Sequence, residues 1–408
     1  MLTVDGDRFR EQFERYSKIG ATDDGGLHRL ALTDADKRVR DLFRSDLEDR
    51  GLDVRVDRVG NIFGRRSGTD PDADPVLVGS HLDSQPYGGR FDGQLGVLAA
   101  LETIDLLDDD GIETRRPIEV VDWTNEEGSR FQHAMLGSAV FTGTTDLDTA
   151  LGLTDSDGTR LGDELERIGY AGDRSVTPFD VGAHLELHVE QGPTLDEHGT
   201  SVGVVDGVFG MAWLRVTVHG ETDHAGPTPM HTRRDAMAAA ADAISEINDL
   251  PNRLSPDAIA TVGEFGVEPN SVNVIPDTAE FTVDVRSFDT GVVQEAVEEV
   301  ESELRAACDR HGTTFEVEEV WRIPPTDFSP DVREVLDAAA SDLGTDYEHL
   351  VSGAGHDAKY VNEIAPTAMV FVPSVDGKTH NEAEFTEWKD CVAGANVLAN
   401  AALRLAEE

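Results

Sequence analysis

Two adjacent acids, Glu126 and Glu127, follow a run of strand-forming residues in VVDWTNEEGSRF. Val120, Val121 and Trp123 suit a strand, whereas Asn125 and Gly128 are turn residues. Adjacent carboxylates repel, and burying them is costly unless positive charge lies beside them. Either the strand has ended and both acids face water, or a cation holds them. VLVGSHLDSQPYGGRFDG places His81 and Asp83 at the end of another expected strand, and Asp92 after a glycine-rich turn. His188 falls on a third strand, HLELHVEQG, and His380 in the turn-rich DGKTHNEAEF. Open α/β sheets gather ligands at the carboxyl ends of their strands, so these residues could share one crevice.

A two-metal hydrolase needs a carboxylate between the ions, N/O ligands on each and an open face for water. His81, Asp92, Glu127, His188 and His380 supply such a donor set. With no thiolate among them, they suit two divalent ions such as Zn²⁺, Mn²⁺, Co²⁺ or Ni²⁺. Glu126, beside a ligand, is the candidate general base. Asp83, two residues past His81, could accept the second ring N–H of that histidine. Histidines and acids at strand ends also arise by chance in an acidic chain, so spacing by itself leaves both readings open.

The elements that must position these residues follow from the hydrophobic pattern. VLVGSH and PIEVVDW read as buried-type strands, and GQLGVLAALETIDLLDDDG as a helix between them. In HLELHVEQG, Leu185, Leu187 and Val189 alternate with Glu186, His188 and Glu190. Strands alternating with helices predict an α/β domain with a mainly parallel sheet flanked by helices. The middle of the chain differs. Strand, helix, two strands, helix and strand run in the order βαββαβ, a compact α+β unit. The second helix, ending in CDRHG, has Gly312 where a C-cap would stand. The prolines of RIPPTDF mark its exit. The expected organisation is a catalytic domain of residues 1–209 and 325–408, interrupted by an inserted unit over 210–324.

Composition narrows the surroundings. The 408 residues carry 81 acids against 34 Lys and Arg, a formal charge of −47. The acid is spread along the chain, which argues against a disordered acidic tail and against a nucleic-acid partner. No apolar run is long enough to span a bilayer, and the N-terminus lacks the pattern of a secretion signal. A cytoplasmic protein without membrane association is expected. The two cysteines, Cys308 and Cys391, form neither a CxxC pair nor a disulfide framework.

Several motifs carry a resemblance. GSHLDS, GRFDGQLGV, NEEGSRF, HVEQGPTL, DHAGPTPM, NVIPDTAEFTVDVR, SGAGHDA and THNEAEF, in that order, resemble the metal-dependent amidase/carbamoylase branch of the M20 peptidase family. That branch holds N-carbamoyl-L-amino acid hydrolases, β-ureidopropionases and allantoate amidohydrolases. The resemblance implies a catalytic α/β domain, an inserted lid and dimerisation domain, a homodimer, and a small ureido or carbamoyl amino acid as substrate. It implies the five metal ligands and the base named above, with Asp92 bridging. It further implies that Gln191 contacts substrate and that His224 lies near the scissile group, helping to stabilise the oxyanion. Asn273 and Arg286 would grip the substrate carboxylate, and Gly355 and His356 would supply a backbone contact and a nearby histidine.

The residues themselves leave alternatives for this second set. Arg286, ending the strand FTVDVR, suits a carboxylate or a surface ion pair equally. His224 could be a solvated loop histidine, and Asn273 and Gly355 plain turn residues. Two other functions also stay open: an aminoacylase or dipeptidase of the wider family, and a metal-binding protein without turnover.

The charge generates its own expectation. Self-repulsion destabilises a compact state at low salt, and at molar salt the Debye length falls to about 3 Å. A halophilic protein should therefore melt at higher temperature in molar KCl than at low salt. A melting temperature that does not rise removes the inference.

Overall fold

The computed structural model describes residues 1–172 and 179–407. The chain forms two units, Met1–Asp206 with Phe328–Glu408, and Gly207–Asp327. Short Val-, Ile- and Leu-rich runs bounded by turn residues make the strands of the first. These are β1 (Asp53–Val56), β2 (Ile62–Arg66), β3 (Val76–His81), β4 (Ile118–Trp123), β5 (Ala183–Val189) and β6 (Val202–Val208). The second unit contributes β7 (Gly210–His219), β8 (Ile259–Glu268), β9 (Thr278–Ser287), β10 (Thr314–Ile323) and the short β11 (Thr326–Asp327). The chain then returns through β12 (Tyr347–Ser352) and β13 (Thr367–Val372).

The larger sheet has the order β1-β2-β4-β3-β5-β13-β6-β11, with β12 also paired to β6. Its centre is parallel: β3 pairs with β4 and β5, and β5 with β13. The flanking pairs β1–β2, β2–β4, β13–β6 and β6–β11 are antiparallel. Every residue of β3, β4, β5 and β13 is buried, as expected of parallel strands covered on both faces. The alternation in β5 therefore does not mark a wet face: Glu186 and His188 are as buried as Leu185 and Leu187.

The helices Asp34–Asp49, Gln94–Asp109 and Trp388–Glu407 bury their apolar residues in the main core. Gly96 sets one close approach, because a Cβ there would lie 2.2 Å from the carbonyl oxygen of Leu187 on β5. A second cluster contains Phe63, Leu77, Val121, Trp123 and Phe141.

A buried ion network steadies the end of β4. Arg40 donates to Asp36 Oδ2 at 2.7 Å, to the Gly60 carbonyl at 2.9 Å and to Thr124 Oγ1 at 3.3 Å. Asp122 Oδ2 lies 3.8 Å from the same guanidinium. Burial pushes the Asp122 carboxyl up to about 7 against the pull of Arg40. The Thr124 N–H is held by Asn61 Oδ1 at 2.9 Å. Arg40 is both paired and hydrogen-bonded, whereas Asp122 is compensated by the nearby charge alone.

In the second unit, β7, the helix Ala236–Leu254, β8, β9, the helix Thr290–His311 and β10 follow in the order βαββαβ. Gly312 caps the second helix with a left-handed φ of 62°. The strands form an antiparallel sheet of order β10-β7-β9-β8. Ala212, Leu214, Val216 and Val218 on β7 stand opposite Val285, Val283, Phe281 and Ala279 on β9, and together they build one core with the two helices. Trp213 and Trp321 are exposed and meet edge to face. Both cysteines are buried and free. Among the described residues, no helix is long and apolar enough to cross a membrane.

Candidate active site

Parallel strands deliver their carboxyl ends to one side of a sheet, and three of them deliver the candidate residues. β3 ends on His81, which stands opposite Trp123 at the end of β4, and His188 lies near the end of β5. Beyond β4, Asn125 takes a left-handed φ of 55°, which turns the chain into Glu126 and Glu127. Its side-chain amide donates to the carbonyls of Phe131 and His133, so the turn is anchored. Asp92 precedes Gly93, where φ is 62° and a Cβ would lie 2.4 Å from the His81 ring. Only glycine lets the imidazole lie flat against this turn.

Asp92 is the centre of the cluster. Its Oδ1 lies 3.3 Å from His81 Nε2 and 3.2 Å from His188 Nε2. Its Oδ2 lies 3.5 Å from His380 Nε2, and Glu127 Oε2 is 3.6 Å from that same nitrogen. Two donor triads result, His81–Asp92–His188 and Asp92–Glu127–His380, with Asp92 common to both. Two donors about 2.1 Å from one tetrahedral ion lie roughly 3.4 Å apart, so both triads fit a divalent cation. The other ring nitrogens are committed: His81 Nδ1 lies 3.0 Å from the Asp83 carbonyl, and His188 Nδ1 3.0 Å from the Val189 carbonyl. In its neutral form the His81 ring then offers its Nε2 lone pair to the site, while His188 Nε2 accepts the Gly93 N–H at 3.2 Å.

A third group, Glu186, His188 and His356, is also close enough to share an ion. Its carboxylate already accepts from Ser80 Oγ at 2.7 Å and from the Ala358 N–H at 3.1 Å. His356 pairs with Ser352 Oγ at 3.0 Å and packs its ring 4.5 Å from that of His188. These residues support His188 from behind.

Glu126 belongs to neither of the two triads around Asp92, and its Oε2 is 3.5 Å from His81 Nε2. Burial pushes its carboxyl well above the ordinary range, and Asp357, Glu127 and Asp83 add to that against the pull of His81. Burial also raises Glu127 well above its usual value, with Asp92 as the next cause. Burial alone would lower His81, but Glu126, Asp92 and Asp83 outweigh it and hold the ring well above its usual value. Asp92 is opposite in sign: burial would raise it, yet His188 and His81 hold it well below.

Asp83 differs from the expectation. His81 Nδ1 faces the backbone carbonyl of Asp83, and the carboxylate is farther off, at 3.8 Å. The reason lies in the acidic turn. Asp83 Oδ1 accepts the Glu126 N–H at 3.2 Å and Oδ2 accepts the Glu127 N–H at 3.3 Å. The Asp83 carboxylate therefore orients the two acids rather than the histidine ring.

Gln191 holds a φ of 58°, with its Nε2 2.8 Å from Asp92 Oδ2 and its backbone N–H on Ser374 Oγ. Gly355 packs beneath Met135, whose Cε lies 3.0 Å from the position of an added Cβ. The remaining candidates lie on the second unit. His224 bridges to Val274, and the Ala225 N–H donates to the Asn273 carbonyl at 3.1 Å, so the two loops are joined. His224 Nδ1 accepts from the Gly226 N–H at 3.0 Å, which leaves the proton of the neutral ring on Nε2. Arg286 stands on β9 between Met211 and Ile259 and donates to Asp284, at 3.1 Å from Nε and 2.8 Å from Nη2.

Sequence reasoning missed Glu384. Its Oε1 accepts the N–H groups of Phe91 and Asp92 at 2.9 and 3.1 Å. Burial, with Asp92 nearby, pushes its carboxyl up to about 7. The THNEAEF motif contained this residue, but nothing local tied it to a turn nearly three hundred positions earlier.

The raised Glu127 and His81 give a signed expectation for metal uptake. Both carry more proton at a given pH than free side chains would, and a cation must displace those protons. Apparent metal affinity should fall as pH falls, with net proton release on loading in weakly buffered solution. Affinity independent of pH between about 5 and 8 would contradict the ligand set.

The chain matches the peptidase family M20/M25/M40 over residues 77–404. It is 43% identical to an N-carbamoyl-L-amino-acid amidohydrolase of Rhizobium meliloti, covering 99% of this chain and 97% of that protein. It is 34% identical to the allantoate amidohydrolase of Escherichia coli, covering 98% of each. A crystal structure of an amidase of the hydantoinase/carbamoylase family from Burkholderia multivorans superposes with a TM-score of 0.96 at 46% identity, covering 100% of this chain and 99% of that one. Likeness of this extent in both sequence and fold makes the chain a member of the M20/M25/M40 family, in its amidohydrolase/carbamoylase branch.

Proposed function

We propose that the protein hydrolyses the carbamoyl C–N bond of N-carbamoyl-L-amino acids, using two divalent ions per subunit. As a member of this branch it is an amidohydrolase acting on non-peptide carbon–nitrogen bonds. The observation that carries the reading is the pair of donor triads sharing Asp92, with Glu126 beside them and in neither. When bound, the ions would acidify a water and polarise the carbamoyl oxygen. Zn²⁺, Mn²⁺, Co²⁺ and Ni²⁺ all suit these N/O donors.

The chain's own residues do the rest. Glu126, with its raised carboxyl, takes a proton from the attacking water and delivers it to the leaving nitrogen. One water is consumed, and the carbamic acid formed breaks down to ammonia and CO₂ beside the free amino acid. Asp83 holds the backbone of Glu126 and Glu127, so the base keeps its direction through the cycle. On the inserted unit, His224 offers Nε2–H to the developing oxyanion. Arg286 and Asn273 bind the substrate carboxylate, and Gln191 and Gly355 contact the substrate near the ions, with His356 close by. The inserted unit acts as lid and dimerisation domain. Its exposed Trp213, Ile259, Phe265 and Trp321 support a subunit interface and hence a homodimer. A cytoplasmic location and a salt-dependent fold complete the proposal.

Ammonia release tests the reaction. In molar KCl, N-carbamoyl-L-amino acids should yield ammonia, the activity should vanish with chelator, and Mn²⁺ or Zn²⁺ should restore it. Higher kcat/KM for allantoate or ureidopropionate would move the substrate within the branch. Cleavage of acetyl-amino acids or dipeptides alone would overturn the reading.

Glu126→Gln tests the base. The variant should bind metal as the parent does and lose about 10²–10⁴-fold in kcat. Near-normal turnover in the loaded variant would remove the assignment.

A further inference from the structure

We propose that Gln85 is a positioning residue for Glu127, and that it sets cation affinity at the Asp92–Glu127–His380 triad while leaving the His81–Asp92–His188 triad untouched. The inference rests on the two-ion reading above. Three hydrogen bonds join the two residues. The backbone N–H of Gln85 donates to Glu127 Oε1 at 3.0 Å, and its Nε2 donates to Glu127 Oε2 at 2.8 Å. The same Nε2 reaches the Glu127 carbonyl at 3.3 Å. Among the described residues, the side-chain hydrogen bonds of Gln85 all go to Glu127.

The triads differ in how much support they need. His81 and His188 are 1% exposed, and each ring is locked by a backbone carbonyl. His380 has a side chain 49% exposed and sits at a φ of 54°. The second triad therefore depends on Glu127 being ordered before a cation arrives. A glutamate has several rotatable bonds, and fixing it beforehand removes an ordering cost from binding. Gln85 Nε2 holds Oε2, the oxygen that faces His380. A neutral amide suits this place, because it donates to the carboxylate without competing for the ion. A carboxylate at position 85 would add charge repulsion where Asp92 already crowds Glu127. Glu384 offers a contrast, since it holds the backbone of Asp92, the residue common to both triads.

The experiment is equilibrium dialysis of metal-stripped full-length protein against buffered Zn²⁺, with metal analysis, for the parent, Gln85→Leu and Gln85→Glu. Co²⁺ absorbance serves as a second readout of each site. The parent should take up two ions per subunit. Both variants should keep one ion at parental affinity and bind the other about 10–100-fold more weakly. If Gln85→Leu fails to fold, Gln85→Glu decides, being nearly the same size and shape. Two ions at parental affinity in Gln85→Glu would overturn the proposal, as would equal weakening of both. A parent that binds fewer than two ions would overturn the two-ion reading itself, and this proposal with it.

Discussion

Four carboxylates, Asp83, Asp92, Glu126 and Glu127, are buried in one crevice of the larger unit, and they cannot all be ionised there unaided. Much of the local structure answers this constraint. Asp83 is satisfied by two backbone N–H groups. Asp92 is satisfied by His81 and His188, and Glu127 by Gln85. What these donors leave uncompensated is the opposition of Asp92 and Glu127 about His380, which calls for positive charge. The protein's own groups hold Asp92 down, whereas burial pushes both Glu126 and Glu127 up.

The scaffold makes this concentration of charge possible. Parallel strands buried on both faces hold their carboxyl ends rigidly, and turns beyond them aim the side chains. Several turns use left-handed backbone at residues other than glycine: Asn125, Gln191 and His380 all have φ near 55°. Such conformations persist where the surroundings over-determine them. The surroundings here are specific, with Asn125 tied to two carbonyls and Gln191 to Ser374. Beneath β4, the buried Arg40 ties Thr124 to the Gly60 turn and Asp122, so the acidic pair hangs from a fixed point.

Much of this was legible in the residues. His81, Asp92, Glu127, His188 and His380 could be named as candidate donors from residue type and placement after strands, but spacing left a chance grouping open, and the eight ordered motifs were needed to favour the site. The βαββαβ order could be read because period-two strands and helical runs alternate cleanly between Gly210 and Ile323. One local reading failed for a physical reason. Asp83 looked like a partner for the His81 ring by adjacency, yet its carboxylate is drawn to two N–H groups over forty residues away.

By itself, the sequence determined the kinds of chemistry available and the elements that carry them, because both depend on residue type and local period. It set the donor types, the adjacency of Glu126 and Glu127, and the βαββαβ order of the second unit. Tertiary structure alone decided which oxygen faces which nitrogen. Asp92 shares itself between two triads because β3, β5 and the His380 loop converge on it from three parts of the chain. Gln85 and Glu384 acquire their roles through hydrogen bonds to residues distant in sequence, and hydrogen bonds are directional to a few tenths of an ångström. Composition and spacing carry no such directions. They arise only once the sheet has packed.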